Sequence, residues 1–464
     1  MFLKELECLK SMYKYFVFLL IFLANLSAKE LSDCFCQKQF QRAHIGIYVL
    51  NLNTREPIYQ RNAEQFFIPA SLMKIPTSAV AIALLGEDYR FTTSLEYEGH
   101  IDQEKTLQGN LWIRGGGDPT VSLTSLLQWE ADLQSLITKI NGTLFIDTSC
   151  FETALASRSW SFEDLGNYYG AGASGFTLNQ NTYYITFQPG KKENDPTTVI
   201  KIDPPIPNLT FYNEVTTGPA GSGDQVYVFG SEYSPIQFYR GTIPIDQTSF
   251  TIKAAIPDPA LLCGLLLSKQ LKPTKGIKLI REKNTSIPQQ TVITRYKSVS
   301  LKELLQPMNQ FSINLYAEHL LKAIGQGNSK QGTKYIESFL KNLHIPSQVH
   351  DGAGLSRTNL LTPKGMVTLL SHIKSSDVYL SIYTSLPELN QTGTPRFFPK
   401  IPYAHLRAKS GSMGNIYNLA GYLTLGAKKQ YAFAIFCNHY KGPSNDIKKE
   451  IALFLDLLTE KLDQ

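Results

Sequence analysis

The chain reads as an α+β protein: helices packed on an antiparallel sheet whose strands come from both chain ends, with β-rich domains inserted between them. Three observations predict this. Near the start, the apolar run 45–50, a polar stretch with Asn51, Asn53 and Pro57, and a second short run at Ile58 and Tyr59 form the pattern of a β-hairpin. Near the end, 406–410, 419–423 and 431–436 read as consecutive strands, followed by a helix from about 445 to 462. The long middle, from about 91 to 257, alternates apolar residues with Gly, Pro, Asn and Asp, as in 182–187 and 225–229, which favours short strands. Strands supplied by both termini close into one domain if the middle is an insertion.

Taken in order, residues 1–28 carry Lys4, Lys10 and Lys14, an apolar run over 16–24, and then Leu26, Ser27 and Ala28. This is the pattern of a cleaved secretory signal peptide, and the apolar core is short for a membrane anchor of roughly 20 residues. Met12 would serve as an alternative start with a more compact signal. The remainder has no uncharged run of spanning length, so an exported chain in the periplasm or cell exterior is expected. Helical periodicity returns over 301–324 and 335–343 and leads the chain back to the sheet.

Composition narrows the function. Of six cysteines, Cys8 lies in the leader, and Cys34, Cys36, Cys150, Cys263 and Cys437 are scattered, which is no disulfide framework. Cys34 and Cys36 are a lone C-x-C without matching ligands, and H-E-x-x-H does not occur, so no metal or other cofactor is expected. Net charge is +6 without a basic stripe. Nucleic acid is therefore not implied. The bias would suit peripheral association with an anionic envelope surface, and a solvated face accounts for it equally well. Oligomeric state leaves no mark.

The chemistry starts at Ser71-Leu72-Met73-Lys74. Pro69 and Ala70 suit a helix start, which puts Ser71 in a first turn among free N–H groups, with Lys74 three residues on along the same face. A serine hydroxyl needs a base within reach to act as a nucleophile, and a desolvated lysine can be that base. Spacing alone decides nothing, because Ser11/Lys14, Ser338/Lys341 and Ser371/Lys374 share it. Order does: Ser312-Ile313-Asn314 is the one Ser-x-Asn in the sequence, and Lys409-Ser410-Gly411-Ser412 the one Lys-Ser/Thr-Gly, each C-terminal to the element before it. A Gly-x-Ser-x-Gly elbow is absent, and Gly115-Gly116-Gly117 lacks the Gly-Lys-Ser/Thr of a phosphate cradle and reads as a tight turn.

These elements, together with 111–120 around Gly115-Gly116-Gly117-Asp118, 169–174 with Asn179 and Asn181, 351–359, and Ala420-Gly421-Tyr422, resemble the low-molecular-mass, class C penicillin-binding proteins, the D-alanyl-D-alanine carboxypeptidase/endopeptidase family. The resemblance spans nearly all the chain after the leader. It implies a β-lactamase/transpeptidase-like catalytic domain over 29–90 and 293–464, an inserted domain II over 91–192 and 255–292, and an inserted domain III over 193–254. It also implies hydrolysis of D-Ala-D-Ala ends or D-alanyl cross-links of peptidoglycan stem peptides through an acyl-enzyme, with β-lactams as acylating ligands. Ser71, Lys74, Ser312, Asn314 and Lys409 become the catalytic set; a neutral Lys74 needs burial or a nearby cation, and Lys409 would supply the latter if the two chain ends meet. Ser410, Gly411 and Ser412 become the substrate strand, with the oxyanion between the backbone N–H groups of Ser71 and Ser412. Arg357, Trp160, Glu163 and Asp164 would help to read the stem-peptide side chain, against the alternative of surface ion pairs and a packed Trp.

Three positions depart from the family pattern. Leu72, Ile313 and Ser410 stand where Asn, Asp and Thr are common. Ser410 keeps a hydroxyl, whereas Leu72 and Ile313 are expected to remove polar groups beside the site and so to bear on substrate preference and rate. Two rivals share the motifs: a β-lactamase, usually more compact and in need of a further deacylation base, and a catalytically weak wall-binding protein, which would tolerate loss of Ser71, Lys74 or Lys409.

Overall fold

The computed structural model describes residues 30–282, 290–402, 404–426 and 429–463, so the leader lies outside the described residues. Strands His44–Asn51 and Pro57–Arg61 join His405–Met413, Ile416–Leu425 and Lys429–Asn438 in one antiparallel sheet, with His44–Asn51 beside Lys429–Asn438. Alternation along the strands sorts its two faces. Phe433, Ile435 and Cys437, with Ile45, Ile47 and Val49, lie under the C-terminal helix Ser444–Asp463, which answers with Ile447, Ile451, Phe454, Leu455 and Leu458 at helical spacing. Ala432, Ala434 and Phe436 turn to the opposite face and a larger helical core. Each fully buried Leu, Ile or Phe there contributes about 2 kcal/mol of apolar transfer.

The axis of that core is helix Lys74–Leu85, buried on every side from Lys74 to Ile82. It packs against Leu301–Gln310 and Asn314–Ile324, while Pro363–Lys374 covers the sheet. Gly46 on the first strand is a required glycine, since a Cβ there would lie 2.4 Å from the Phe67 ring.

The inserted part holds a mixed sheet of Ile277–Ile280, Leu144–Asp147, Thr106–Arg114, Thr92–Ile101 and Thr291–Lys297, and two three-stranded sheets farther out. It also holds two helices that the strand reading passed over, Leu123–Leu136 and Pro259–Leu271. Both were legible at their starts: Ser122 accepts from Ser125 N at 3.0 Å, and Asp258 caps a helix that begins with Pro259. One apolar cluster runs through the mixed sheet and both smaller ones, from Leu95 and Ile146 to Tyr183, Val215 and Tyr239. The sequence-drawn division after 192 passes between Thr182–Gln188 and Thr198–Asp203, which pair with each other. Among the described residues no helix is long and apolar enough to cross a membrane.

Candidate active site

The turn carrying Ser71 differs from a simple helix start. Ala70–Met73 is a 3-10 turn, with Ala70 in the left-handed region at φ 48°, and the α-helix begins at Lys74. Sheet side chains impose this geometry. Asn418 Nδ2 donates to the carbonyls of Ile68 (2.9 Å) and Pro69 (3.0 Å), and Asn438 Oδ1 accepts from Ile68 N at 2.8 Å. The Lys409–Ser412 strand runs close beside the turn: a Cβ on Gly411 would stand 2.7 Å from Pro69 O and 3.1 Å from Ser71 N. Gly354, at φ 84°, approaches from another side, where a Cβ would meet Ala70 O at 1.9 Å.

The three motifs, far apart in sequence, meet here. Lys74 Nζ donates to Ser71 Oγ at 3.0 Å, to Asn314 Oδ1 at 2.7 Å and to the Ala353 carbonyl at 2.7 Å. The Asn314 amide is oriented from its other end, where Nδ2 donates to the Tyr169 carbonyl at 2.8 Å. Lys409 Nζ donates to Ser312 Oγ at 2.9 Å and to the Ser410 carbonyl at 2.7 Å, and Ser312 adopts a left-handed φ of 58° just before its helix. Ser410 Oγ shares a hydrogen bond of 2.8 Å with Thr394 Oγ1.

Both lysines are fully buried. Burial brings the Lys74 amine down to about 7, opposed by the carboxylates of Asp351 and Glu318. Lys409 is held well below its ordinary value, first by burial and then by the charge of Lys74. Of the two routes to a neutral Lys74, burial or a nearby cation, burial is the leading one.

Leu72 is fully buried in the helical core, and Ile313, between the cleft residues Ser312 and Asn314, is half-buried against that core.

A cleft of about 600 Å³ opens over Ser71, Ser312, Asn314, Ser410 and Ser412. The catalytic part also lines it with Phe311, Thr394, Met413, Tyr417 and Lys448, and the inserted part with Glu163, Asp164, Tyr168, Tyr169 and Tyr227. Arg357 spans the two, 3.2 Å from Asp164 and 3.5 Å from Glu163. Trp160, read either as a substrate contact or as a packed Trp, is buried, and its indole N–H donates to Asp351 Oδ2 at 2.8 Å.

Asp351 received no role from the sequence. Its fully buried carboxylate also accepts from Gly354 N, Ser356 N and Asn359 Nδ2 at 2.7–2.8 Å, which fixes the loop facing Lys74. Thr394, Tyr169 and Ala353 were likewise missed. Thr394 lies in a stretch without periodicity, and the other two act here through backbone carbonyls, which any residue carries.

A buried lysine on a serine hydroxyl, a second lysine on a second serine, and an Asn amide between them, set where helices meet an antiparallel sheet, define a penicillin-recognising active-site-serine enzyme. Comparison with known proteins gives the particular family. The profile of the D-Ala-D-Ala carboxypeptidase 3 (S13) family matches residues 27–458, and the chain belongs to that family. The D-alanyl-D-alanine carboxypeptidase DacB of Haemophilus influenzae is 27% identical over 443 residues, 90% of this chain and 89% of that protein. The D-alanyl-D-alanine carboxypeptidase of Actinomadura sp. is 28% identical over 426 residues, 86% of this chain and 78% of that one. The crystal structure of penicillin binding protein 4 from H. influenzae matches with a TM-score of 0.81 at 25% identity, covering 94% of this chain and 99% of that one. The chain is a serine-type carboxypeptidase of this family.

Proposed function

We propose that this protein is an exported DD-peptidase that cleaves stem peptides of peptidoglycan through an acyl-enzyme on Ser71, and that β-lactams acylate the same hydroxyl. The observation that carries the reading is the 3.0 Å contact of Lys74 Nζ with Ser71 Oγ, made by an amine that burial brings to about 7. Such an amine is partly neutral at physiological pH and can accept the serine proton.

Ser71 Oγ then bonds to the carbonyl carbon between the two terminal D-alanines, and the oxyanion is met by the N–H groups of Ser71 and Ser412. Collapse breaks the C–N bond, and the leaving amine takes a proton from Ser312, which Lys409 resupplies. Water then attacks the ester carbonyl and gives its proton to Lys409, while Lys74 returns the proton it took to the departing Ser71 Oγ, which restores both lysines. Ser410, with Thr394 beside it, and Lys409 would receive the terminal carboxylate, and Asn314 the substrate amide. Arg357, Glu163 and Asp164 form the wall that would face the stem-peptide side chain preceding the two D-alanines. Burial raises the Asp164 carboxyl, with Arg357 opposing, and this mixed-charge wall suits a side chain that ends in both an amine and a carboxylate.

Intact-mass analysis after incubation with penicillin tests the reading, beside a Ser71→Ala variant. The expected result is an adduct on the wild type alone. Unmodified wild type with intact drug would refute it, and rapid drug hydrolysis without an adduct would turn the assignment to a β-lactamase. Assay of released D-alanine against opened cross-links separates carboxypeptidase from endopeptidase work.

A further inference from the structure

Lys74 has three neighbours, and only one has a proton to give. A neutral amine carries two N–H bonds and one lone pair. Asn314 Oδ1, oriented by the bond from Nδ2 to Tyr169, and the Ala353 carbonyl are acceptors only. If both N–H bonds go to them, the lone pair is left facing the Ser71 hydroxyl. The direction of the base therefore depends on where the Ala353 carbonyl sits.

That carbonyl belongs to a peptide segment held by a side chain outside the described mechanism. Glu318 Oε1 accepts from Gly352 N at 2.8 Å and from Ala353 N at 2.7 Å. Glu318 is 3% exposed and lies one turn beyond Asn314 on the same helix, so this helix reaches Lys74 twice, directly through Asn314 and indirectly through the loop. The segment has little room for another path, with Gly352 lying against the Ala317 carbonyl and the Leu321 side chain.

We propose that Glu318 is a positioning residue for the general base: its grip on the Gly352 and Ala353 amides aims the Ala353 carbonyl at Lys74 and so points the lysine lone pair at Ser71. This rests on the reading of Ser71 and Lys74 given above. The charged groups around Glu318 are Asp351, Lys74 and Lys322, with Lys409 beyond Lys74. Burial, then the Asp351 charge, raises the Glu318 carboxyl to about 8, with both amides and Lys322 opposing. Its Oε1 can accept from both amides whether the carboxyl is charged or not. Reach therefore matters more than charge.

Two substitutions separate reach from charge. Glu318→Gln keeps the length and an acceptor oxygen but removes the carboxyl; Glu318→Asp keeps the carboxyl and withdraws it by one methylene. Penicillin acylation is followed by intact mass in full-length protein, with the limiting rate and half-saturating concentration measured separately from pH 5.5 to 9. The proposal expects Glu318→Gln within about threefold of wild type, and Glu318→Asp slower by about tenfold or more in limiting rate with half-saturation little changed, as for a misdirected base. It also expects the acid limb of Glu318→Gln to move to lower pH or stay in place, because a carboxylate near Lys74 can only favour the ammonium. A fast Glu318→Asp with a slow Glu318→Gln, equal losses in both, or wild-type rates in both would overturn it. Ser71→Ala and wild type run alongside: a wild type that forms no adduct defeats the reading of Ser71 itself, whatever the Glu318 variants do.

Discussion

Two regions of this molecule bury lysines, and they use them differently. At the cleft floor, Lys74 and Lys409 are fully buried, and each points at a serine hydroxyl. At the seam between the catalytic and inserted parts, Lys322 is 2% exposed and donates to the carbonyls of Ala154 (2.6 Å) and Ala173 (2.7 Å), with its ammonium over the Phe151 ring. Burial lowers the pKa of all three. Desolvation makes a neutral amine accessible, but only a partner with a proton to give turns that amine into a base. Carbonyls have none, so Lys322 is a strut.

The largest expected effect tests the floor. Ser71→Ala and Lys74→Ala should each lower acylation by about a thousandfold or more, because nucleophile and base act as a unit. Melting temperature should fall somewhat in Lys74→Ala, since the Ala353 carbonyl and Asn314 Oδ1 lose their buried donor, but far less than activity does. A Lys74→Ala enzyme acylating at even a tenth of the wild-type rate would break the comparison.

The seam gives the opposite signature. Lys322→Met should cost about 2–4 kcal/mol in thermal or denaturant unfolding, because two buried carbonyls lose their donor, while acylation per folded molecule stays within about threefold. Lost acylation with unchanged stability would show that Lys322 belongs to the chemistry. A smaller effect sharpens the picture within the cleft: Thr394→Val removes one hydroxyl partner of Ser410 and should raise the half-saturating concentration of a D-Ala-D-Ala peptide by about three- to tenfold. Steady-state assay of released D-alanine reads this directly.

The floor was largely legible in the sequence, and the reason is local. Ser71 and Lys74 share a turn, Ser312 and Asn314 sit at a helix start, and Lys409 to Ser412 run along one strand, so each element carries its spacing with it. The sheet built from both chain ends followed from plain alternation in 45–50 and 431–436. The side chains that aim the chemistry were not legible. Glu318 sits among apolar and charged helix residues, and only the fold brings the Gly352 and Ala353 amides to it. Asp351 lay inside the 351–359 stretch without a task, and of the two readings of Trp160, substrate contact or a packed Trp, the fold takes the second, its indole N–H spent on Asp351. The inserted helices were missed because alternation nearby outweighed the caps at Ser122 and Asp258.

The central claim is that a buried, partly neutral Lys74 takes the Ser71 proton, and the pH dependence of penicillin acylation tests it most directly. The amine accepts a proton only when neutral, so the rate must rise with pH through the lysine's folded value of about 7 and fall by roughly tenfold for each unit below it. An acid limb with its midpoint near 7, seen as adduct formation that Ser71→Ala abolishes, is the predicted result. A rate that is flat down to pH 5, or one that rises only near the ordinary lysine value above 10, would contradict it.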